Sequence, residues 1–348
     1  MDQEHESLMS HGRFDNPVIA ALAGFKDRFR EQPLASRLTD ADRFDGKRVL
    51  ITGANSGLGY ALAVDVARRG GSVTMACRSE IPEAGQRAIG ESGSQNIEMR
   101  HCDLSRMETL HGFCRSAAAD GLRFDVVILN AATTLPRARP APCGQDEMFV
   151  VNYLANFALV HLLIDHGLLV PDARVQPRIV VISSDSHQGS SAIDYEEFGR
   201  YFDYGVRKAI ANYSYFKLLL NTFATELSRR LNSGDGIRVQ VNVICPGPVN
   251  SNIIKAAPWA LRLVLRAIFR VIFKSPAEAA RPVIYMAASS DFAGRTNDYL
   301  HMFSEKPMDS KVYDESAGSR LWRESAELWA RIDDKAADAL SAIDKPGL

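Results

Sequence analysis

Between Arg48 and Phe303, short runs of apolar and β-branched residues alternate with longer stretches in which apolar residues recur at helical spacing. Short apolar runs bounded by turn residues are typical of buried strands, and long amphipathic stretches are typical of helices. The pattern predicts strands at 48–52, 72–77, 97–101, 125–130, 178–184 and 239–245, and a weaker seventh at 299–303. It predicts helices at 58–69, 81–90, 106–118, 145–166, 213–232 and 276–288.

This alternation predicts an α/β fold, because parallel strands need crossover connections and helices provide them. We expect a doubly wound, Rossmann-type parallel sheet of about seven strands with helices on both faces. The regular spacing favours a single domain at 46–304, with an N-terminal extension at 1–45 and a C-terminal extension at 305–348. A helical pattern at 320–332 is expected to pack back on that domain.

Composition excludes several other classes of protein. The 41 basic and 42 acidic residues nearly balance, so the chain lacks the positive excess typical of nucleic-acid binding. The five cysteines are scattered and lack metal-ligand spacing, which predicts reduced, mostly buried thiols and no metal site. Neither a secretory signal nor an uncharged membrane-spanning run is visible, so we expect a cytoplasmic location, with association with a membrane left open.

A glycine-rich loop, TGANSGLG at 52–59, lies between the first predicted strand and the first predicted helix. Glycines are needed where backbone turns with positive φ or approaches a pyrophosphate, and the helix N-terminus that follows favours an anion. The spacing is GxxxGxG rather than GxGxxG, and three glycines could also form a simple structural turn. In this strand-loop-helix context, the loop indicates a dinucleotide phosphate site.

Arg78 follows the second predicted strand, 19 residues after the last glycine of that loop. An acidic residue at this distance would bind the ribose 2′-hydroxyl of NAD. A guanidinium instead attracts the 2′-phosphate of NADP through charge-assisted hydrogen bonds. The alternative is a solvated arginine at a strand end, but NADP is the preferred cofactor and NAD the less favoured one.

These residues resemble the short-chain dehydrogenase/reductase family, and more narrowly its retinol-dehydrogenase-like branch of NADP-preferring enzymes. The matching segments occur in the family's order and cover roughly 48–330. They are TGANSGLG (52–59), ACRS (76–79), CDLS (102–105), LNAA (129–132), NYLANF (152–157), ISSDSH (182–187), YSYFK (213–217) and CPGPVNSNI (245–253).

The resemblance implies a catalytic tetrad of Asn152, Ser184, Tyr213 and Lys217. Hydride transfer to a carbonyl creates an alkoxide that needs a proton, and a tyrosine can supply it if a neighbouring cation lowers its pKa. Lys217 lies one helical turn after Tyr213 and would provide that cation. Ser184 would polarise the substrate oxygen, and Asn152 would hold a water that relays protons.

Two of these assignments have competitors in the sequence. Tyr204 and Lys208 form a second YxxxK pair, nine residues earlier and in a glycine-containing stretch. Tyr213 is preferred because it opens the long apolar helix and stands 33 residues before Pro246, which fits the family's helix-plus-strand unit. Ser183 competes with Ser184 in the same way, and the resemblance aligns Ser184 with the catalytic serine.

The resemblance also implies where the cofactor would be bound. Asp103 and Leu104 would border the adenine, Asn130 and Ala131 the ribose, and Ser251 would hold the carboxamide. The complete set of expected cofactor contacts is Gly53, Asn55, Ser56, Gly57, Leu58, Gly59, Arg78, Asp103, Leu104, Asn130, Ala131, Tyr213, Lys217, Pro246, Gly247, Val249 and Ser251.

The substrate is expected to be read by the loop after the sixth strand, a lid at about 250–275. Within it, 259–274 is apolar around a stripe of arginines. Three interpretations stay open. The stretch is a lid over a large apolar substrate, a basic amphipathic helix that makes peripheral contact with a membrane, or a surface for homodimer packing.

The sequence therefore predicts an NADP(H)-dependent oxidoreductase that interconverts a hydroxyl and a carbonyl on a hydrophobic small molecule, such as a retinoid, steroid or lipid. Two alternatives stay open. One is a non-catalytic NADP-binding interaction module, which the complete tetrad disfavours, and the other is a reductase of carbon–carbon double bonds.

Overall fold

The computed structural model describes residues 32–171, 176–234, 236–248 and 274–343. Most of the predicted N-terminal extension and almost all of the predicted lid lie outside these ranges. The described residues contain one mixed α/β body, which follows the order of strands and helices expected from the sequence.

The described strands form a single sheet of eight in the order β3-β2-β1-β4-β5-β6-β7-β8. Neighbours from β3 to β7 are parallel, and only the β7–β8 pair is antiparallel. The expectation of about seven strands was therefore wrong by one. The chain reverses after β7 at Met302, whose φ is 57°, and the residues that follow pair with β7 as an eighth strand. The strands are β1 Arg48–Thr52, β2 Ser72–Cys77, β3 Ile97–His101, β4 Val126–Leu129, β5 Arg178–Ile182, β6 Gln240–Cys245, β7 Tyr299–His301 and β8 Ser304–Glu305.

Eight α-helices connect and follow these strands in the described chain. Inside α4, Val150–Leu154 is wound as a π-helix, a local widening that is frequent at functional sites. The fifth helix begins seven residues earlier than predicted, so Tyr213 lies within it rather than at its start. The helices are α1 Gly57–Arg68, α2 Glu83–Ser92, α3 Met107–Ala119, α4 Glu147–Asp165, α5 Val206–Leu231, α6 Pro276–Ala288, α7 Glu315–Ile332 and α8 Ala336–Leu340.

Both faces of the sheet are covered, because successive strand residues point to opposite sides. In β1, Val49 and Ile51 belong to a core shared with α1, α2 and α6. Leu50 belongs to the second core, which includes residues of α3, α4, α5, α7 and α8. Burial on both faces explains why the strands are apolar throughout rather than alternating.

The sheet order reverses beside β1. The chain runs outward from β1 through β2 to β3, then returns to place β4 on the other side of β1. In doubly wound folds, ligands bind in the crevice at the carboxyl ends of the strands where this reversal occurs. This edge is where the residues at the ends of β1, β4, β5 and β6 meet.

Helix α4 is long and apolar enough to span a membrane, as judged by length and composition. Its most apolar stretch is completely buried within the protein. Phe157 of α4 packs against Phe223 of α5 and against Trp322 and Trp329 of α7. A buried helix surrounded by other helices is typical of the core of a globular fold.

The residues beyond β8 pack on the body chiefly through α7. Trp329 is fully buried, and its indole Nε1 donates to the Asp333 carboxylate at 2.9 Å. The same carboxylate contacts His111 Nε2 of α3 at 2.8 Å. The boundaries of the predicted domain and extensions stay a prediction, but α7 shares the core of the sheet.

Trp329→Ala is expected to lower the free energy of unfolding by about 3–5 kcal/mol, because it empties a large buried volume. Urea denaturation measures the change. Arg323→Ala, which alters a side chain on the same helix that is 62% exposed, should change that free energy by less than about 0.5 kcal/mol. Equal stability of the two variants would contradict the docking of α7.

Candidate active site

The glycine-rich loop connects the carboxyl end of β1 to the start of α1. Gly53 and Gly57 have φ of 66° and 58°, conformations that side chains disfavour. Ser56 is the residue before α1, and its side chain does not cap the helix. Ser56 and Gly57 are also exposed. The first helical N–H groups of α1 are therefore available to an anion.

Gly59 fixes how closely the helix approaches the sheet. A Cβ at this position would lie 2.4 Å from the Gly53 carbonyl oxygen and 2.5 Å from Asn130 Nδ2. Only glycine fits so close an approach of helix and loop. The third glycine of the motif therefore has the packing role that the sequence pattern assigns to it.

The ends of β1 and β4 are joined by hydrogen bonds. Thr52 Oγ1 accepts from the backbone N–H groups of Asn130 and Ala131, both at 3.0 Å. Asn130 Nδ2 donates to the Thr52 carbonyl at 2.8 Å. A Cβ on Gly53 would lie 3.0 Å from the Cα and Cβ atoms of Ala131. Asn130 and Ala131 thus hold the loop in place from the neighbouring strand.

Arg78 lies just beyond β2 and is exposed. Across from it, Asn55 Nδ2 of the glycine-rich loop lies 3.5 Å from Ser79 Oγ, so the end of β2 and the loop adjoin. At the end of β3, Asp103 Oδ1 accepts from the N–H and hydroxyl of Ser105 at 3.0 and 2.8 Å. These positions extend the phosphate loop sideways along the same edge of the sheet.

Ser184 follows β5 and begins a short helical turn, Asp185–Gly189. Its Oγ accepts from the Ser186 N–H at 3.3 Å and from the Ser186 hydroxyl at 3.0 Å. A serine hydroxyl has one donor, and here its own hydrogen stays available for another acceptor. Ser183 is instead buried at 4% exposure, and its N–H donates to the Ile244 carbonyl.

Asn152 lies in the π-helical part of α4 and is completely buried. Its side-chain amide is held at both ends by one residue. Oδ1 accepts from the Thr133 N–H at 2.9 Å, and Nδ2 donates to the Thr133 carbonyl at 2.8 Å. The amide therefore fixes the chain that leaves β4.

Tyr213 and Lys217 lie one turn apart within α5. Lys217 is 2% exposed, its Nζ donates to the Ile182 carbonyl at 2.8 Å, and the same Nζ lies 5.7 Å from the centre of the Tyr213 ring. The ammonium thus lies between the tyrosine and the end of the strand that leads to Ser184.

Burial dominates the electrostatics of this pair. It lowers the pKa of Lys217 from 10.5 to about 8, because a charged amine is poorly solvated there. Burial, with the nearby Cys245 thiol adding to it, raises the pKa of Tyr213 above its ordinary value of 10. Burial is therefore the largest effect on the phenol pKa in the protein alone, and the lowering expected from Lys217 stays a prediction.

The competing YxxxK pair has a different environment. Tyr204 precedes α5 and is 5% exposed. Burial, and after it the Asp146 carboxylate, raises the pKa of Tyr204. Lys208 is exposed and lies over the Phe202 ring, with Nζ 5.7 Å from its centre. Tyr204 therefore interacts with Asp146 and Lys208 with Phe202, rather than with each other, among the described residues.

The end of β6 closes this edge of the sheet. Gly247 has φ 85°, and a Cβ there would lie 2.9 Å from the Met302 sulfur. Pro246 is buried beside it. The Pro248 carbonyl accepts from the Lys274 N–H at 3.0 Å, so the two ends of the predicted lid are adjacent. Val249, Ser251 and the lid residues up to 273 lie outside the described residues.

Sequence reasoning missed a buried polar group beside Ser184. The Asp185 carboxylate accepts from Tyr299 and Lys306, which lie far along the chain. Burial opposes ionisation, yet His301 and Lys306 keep the pKa of Asp185 below its ordinary value. The one sign of Asp185 in the sequence was its position next to Ser184. His187 makes two hydrogen bonds to backbone, as expected for a structural histidine.

A doubly wound sheet with a glycine-rich loop at its switch point defines the class of dinucleotide-binding α/β proteins. A family model described as short chain dehydrogenase matches residues 47–194. Human retinol dehydrogenase 14 is 32% identical over 335 residues, which cover 88% of this chain and 94% of that protein. Human polyprenol dehydrogenase is 28% identical over 286 residues, with coverage of 82% and 85%.

Solved structures show the same fold. A protein from Mycobacterium paratuberculosis aligns with a TM-score of 0.64 at 26% identity, covering 84% of this chain and 97% of that one. A short-chain dehydrogenase from Shigella flexneri complexed with NADP aligns with a TM-score of 0.56 at 20% identity, covering 76% and 99%. The chain belongs to the short-chain dehydrogenase family, in its retinol-dehydrogenase-like branch, and is an oxidoreductase acting on CH–OH groups.

The lowered pKa of Lys217 predicts a specific dependence of stability on pH. Between its folded value of about 8 and its unfolded value of 10.5, the unfolded chain binds more protons at this group. The contribution of Lys217 to the free energy of unfolding should therefore rise with pH across that interval and be flat below it.

Urea denaturation of the wild type and of Lys217→Met from pH 6 to 10 measures this contribution as their difference. The free energy of unfolding of the wild type should rise relative to that of Lys217→Met as the pH rises above about 8. Lys208→Met, at an exposed lysine, serves as the control for the loss of a surface ammonium. A difference between Lys217→Met and the wild type that stays constant over this pH range would contradict burial of the Lys217 charge.

Proposed function

We propose that the protein is an NADP(H)-dependent oxidoreductase that interconverts a hydroxyl and a carbonyl on a retinoid-, steroid- or lipid-like substrate. One contact carries the proposal: the Lys217 ammonium bonded to the Ile182 carbonyl. It joins the helix of Tyr213 to the strand that leads to Ser184. These groups then share the edge of the sheet where the glycine-rich loop begins.

The cofactor assignment rests on the fit of the loop. Positive φ at Gly53 and Gly57, the exposed start of α1 and the close packing at Gly59 together form a phosphate cradle. Arg78 is exposed beside it and would bind a 2′-phosphate. The NADP complex of the Shigella flexneri relative, which shares the fold, supports this choice. When bound, the nicotinamide supplies or accepts the hydride.

Tyr213 would hold the proton that passes to the substrate oxygen. Its pKa is raised in the protein alone, so the phenol is protonated near neutral pH and can donate. Lys217 keeps a positive charge below its pKa of about 8 and would stabilise the phenolate left after transfer. In the reverse direction the same pair would accept the proton from the alcohol.

Ser184 and Asn152 would complete the proposed set. The Ser184 hydroxyl accepts from Ser186 and keeps its own hydrogen for the substrate oxygen. Asn152 holds Thr133, and thereby the chain leaving β4, against the widened turn of α4. Its part in holding a relay water stays a prediction.

The substrate class rests on the relatives. Their names, retinol dehydrogenase and polyprenol dehydrogenase, specify long apolar alcohols. A hydrophobic alcohol or the corresponding carbonyl compound is therefore the proposed substrate of this chain. The proposed substrate class is tested by measuring NADPH oxidation in the presence of retinal, a polyprenal or a ketosteroid. The absorbance of the nicotinamide monitors the reaction. NADPH binding without turnover of any of them would favour a binding module instead.

Tyr213→Phe is expected to lower kcat by about 10²- to 10⁴-fold, because it removes the proposed proton donor. The Kd for NADPH, measured by fluorescence titration, should change little. Tyr204→Phe is the matched control and should keep its activity. Undiminished kcat in Tyr213→Phe, or its loss in Tyr204→Phe, would contradict the assignment of the catalytic tyrosine.

Arg78→Asp should move cofactor preference toward NAD, since a carboxylate repels the 2′-phosphate and can bind the ribose hydroxyl. A hydrogen bond to a charged group contributes about 1.5–3 kcal/mol. Its loss should therefore lower the ratio of kcat/KM with NADP to kcat/KM with NAD by about 10- to 100-fold. Arg323→Asp, on the exposed side of α7, should leave the ratio unchanged. An unaltered ratio in Arg78→Asp would assign discrimination to another residue.

A further inference from the structure

A buried polar cluster lies directly behind the turn that carries Ser184. Asp185 is 6% exposed, and its Oδ1 accepts from the Tyr299 hydroxyl at 3.0 Å and from Gln188 Nε2 at 2.9 Å. Its Oδ2 accepts from Lys306 Nζ at 2.6 Å, and His301 Nδ1 lies 3.9 Å away. Tyr299 belongs to β7 and Lys306 follows β8, so the end of the sheet holds the turn.

His187 provides a second anchor for the same turn. Its Nδ1 lies 2.8 Å from the Ser184 carbonyl, and its Nε2 accepts from the Asp309 N–H at 3.2 Å. An imidazole that accepts on Nε2 while donating from Nδ1 is neutral. His187 thereby joins the backbone of Ser184 itself to the segment after β8.

These two anchors fix the conformation on which the Ser184 hydroxyl depends. Its Oγ accepts from the N–H and hydroxyl of Ser186, and both bonds require the turn that Asp185 and His187 hold. A shift of the turn would rotate the hydroxyl away from the substrate oxygen. Misplacement of a catalytic group by about 1 Å can cost about 100-fold in rate.

The ion pair in this cluster is a costly way to stabilise a fold. The side chains of Asp185 and Lys306 are 8% and 19% exposed. Desolvation of two charges can exceed their attraction, and replacing such a pair by apolar groups is often neutral or stabilising. Positioning gives a reason for the pair that stability alone does not.

We propose that Asp185, His187, Tyr299 and Lys306, here termed the serine clamp, are positioning residues that hold the Ser184 hydroxyl toward the substrate. This inference rests on the proposed function. It assigns part of the active site to β7 and to the residues after β8, which lie outside the glycine-rich loop and the Tyr-Lys helix.

Lys306→Met tests the serine clamp, and Lys311→Met is its matched control. Lys311 lies in the same segment and also pairs with a buried carboxylate, Asp309, at 2.9 Å. Asp309 contacts His187 through its backbone N–H and not through that carboxylate, so the substitution leaves the contact with His187 in place. Hydrogen exchange followed by mass spectrometry should show faster exchange across 184–190 in Lys306→Met, by about tenfold, and no change in Lys311→Met. Unchanged exchange in both would overturn the clamp.

Kinetics separate positioning from general stability. Lys306→Met and the milder Tyr299→Phe should lower kcat about tenfold. The Kd for NADPH and the melting temperature should change little in Tyr299→Phe. In a Ser184→Ala background, neither substitution should lower kcat further, because both act through that hydroxyl. A further loss of the same size in that background would indicate a merely structural role and overturn the inference.

The outcomes distinguish this inference from the proposed function. A wild-type chain that binds NADPH but turns over none of the alcohols or carbonyl compounds overturns both. Full kcat in Lys306→Met and Tyr299→Phe, with an active wild type and a lowered but measurable kcat in Ser184→Ala, overturns the serine clamp alone.

Discussion

A buried lysine ammonium, bonded to the last carbonyl of a central strand, is the interaction on which the site depends. Lys217 reaches from α5 to Ile182 at the end of β5, and the lowering of its pKa to about 8 shows what burial costs the charge. The bond offsets part of that cost and fixes the helix against the strand. This contact therefore defines where Tyr213 and Ser184 lie relative to each other. Tyr213 is one helical turn from Lys217, and Ser184 is two residues from Ile182.

The same edge of the sheet is fixed again at the switch point. Thr52 accepts two backbone N–H groups from the residues after β4, and Asn130 returns a hydrogen bond to the Thr52 carbonyl. The hydrogen bonds between the ends of β1 and β4 thus hold the glycine-rich loop before any ligand binds. Gly53 and Gly59 are required there because the neighbouring strand and loop leave no room for a Cβ. The phosphate cradle is held at β1 and β4, and the Tyr-Lys helix is held at β5, the strand that pairs with β4 in the same sheet.

The apolar periodicity was enough to predict seven strands and the main helices, because strands buried on both faces leave a continuous apolar signal. It missed β8, whose two residues, Ser304 and Glu305, are polar and pair only because Met302 turns the chain back. It placed the start of α5 too late, since Val206 and Ile210 lie exposed on its first turns and break the expected pattern. The pairing of Asp185 with Lys306 could not be predicted, although Asp185 stands next to Ser184 in the sequence. Asp185 and Lys306 stand 121 residues apart, and no local pattern connects them.

The two YxxxK pairs show why a motif needs its structural context. Tyr204 and Lys208 lie on either side of the first residue of α5, so the helix does not bring their side chains together. A carboxylate, Asp146, faces the Tyr204 hydroxyl and opposes its ionisation. Tyr213 and Lys217 lie wholly within the helix, and the ammonium near the Tyr213 ring favours a phenolate once a proton has left. Tyr204 thus faces a carboxylate, whereas Tyr213 lies near an ammonium, and this difference supports the proposed choice of Tyr213 as the proton donor.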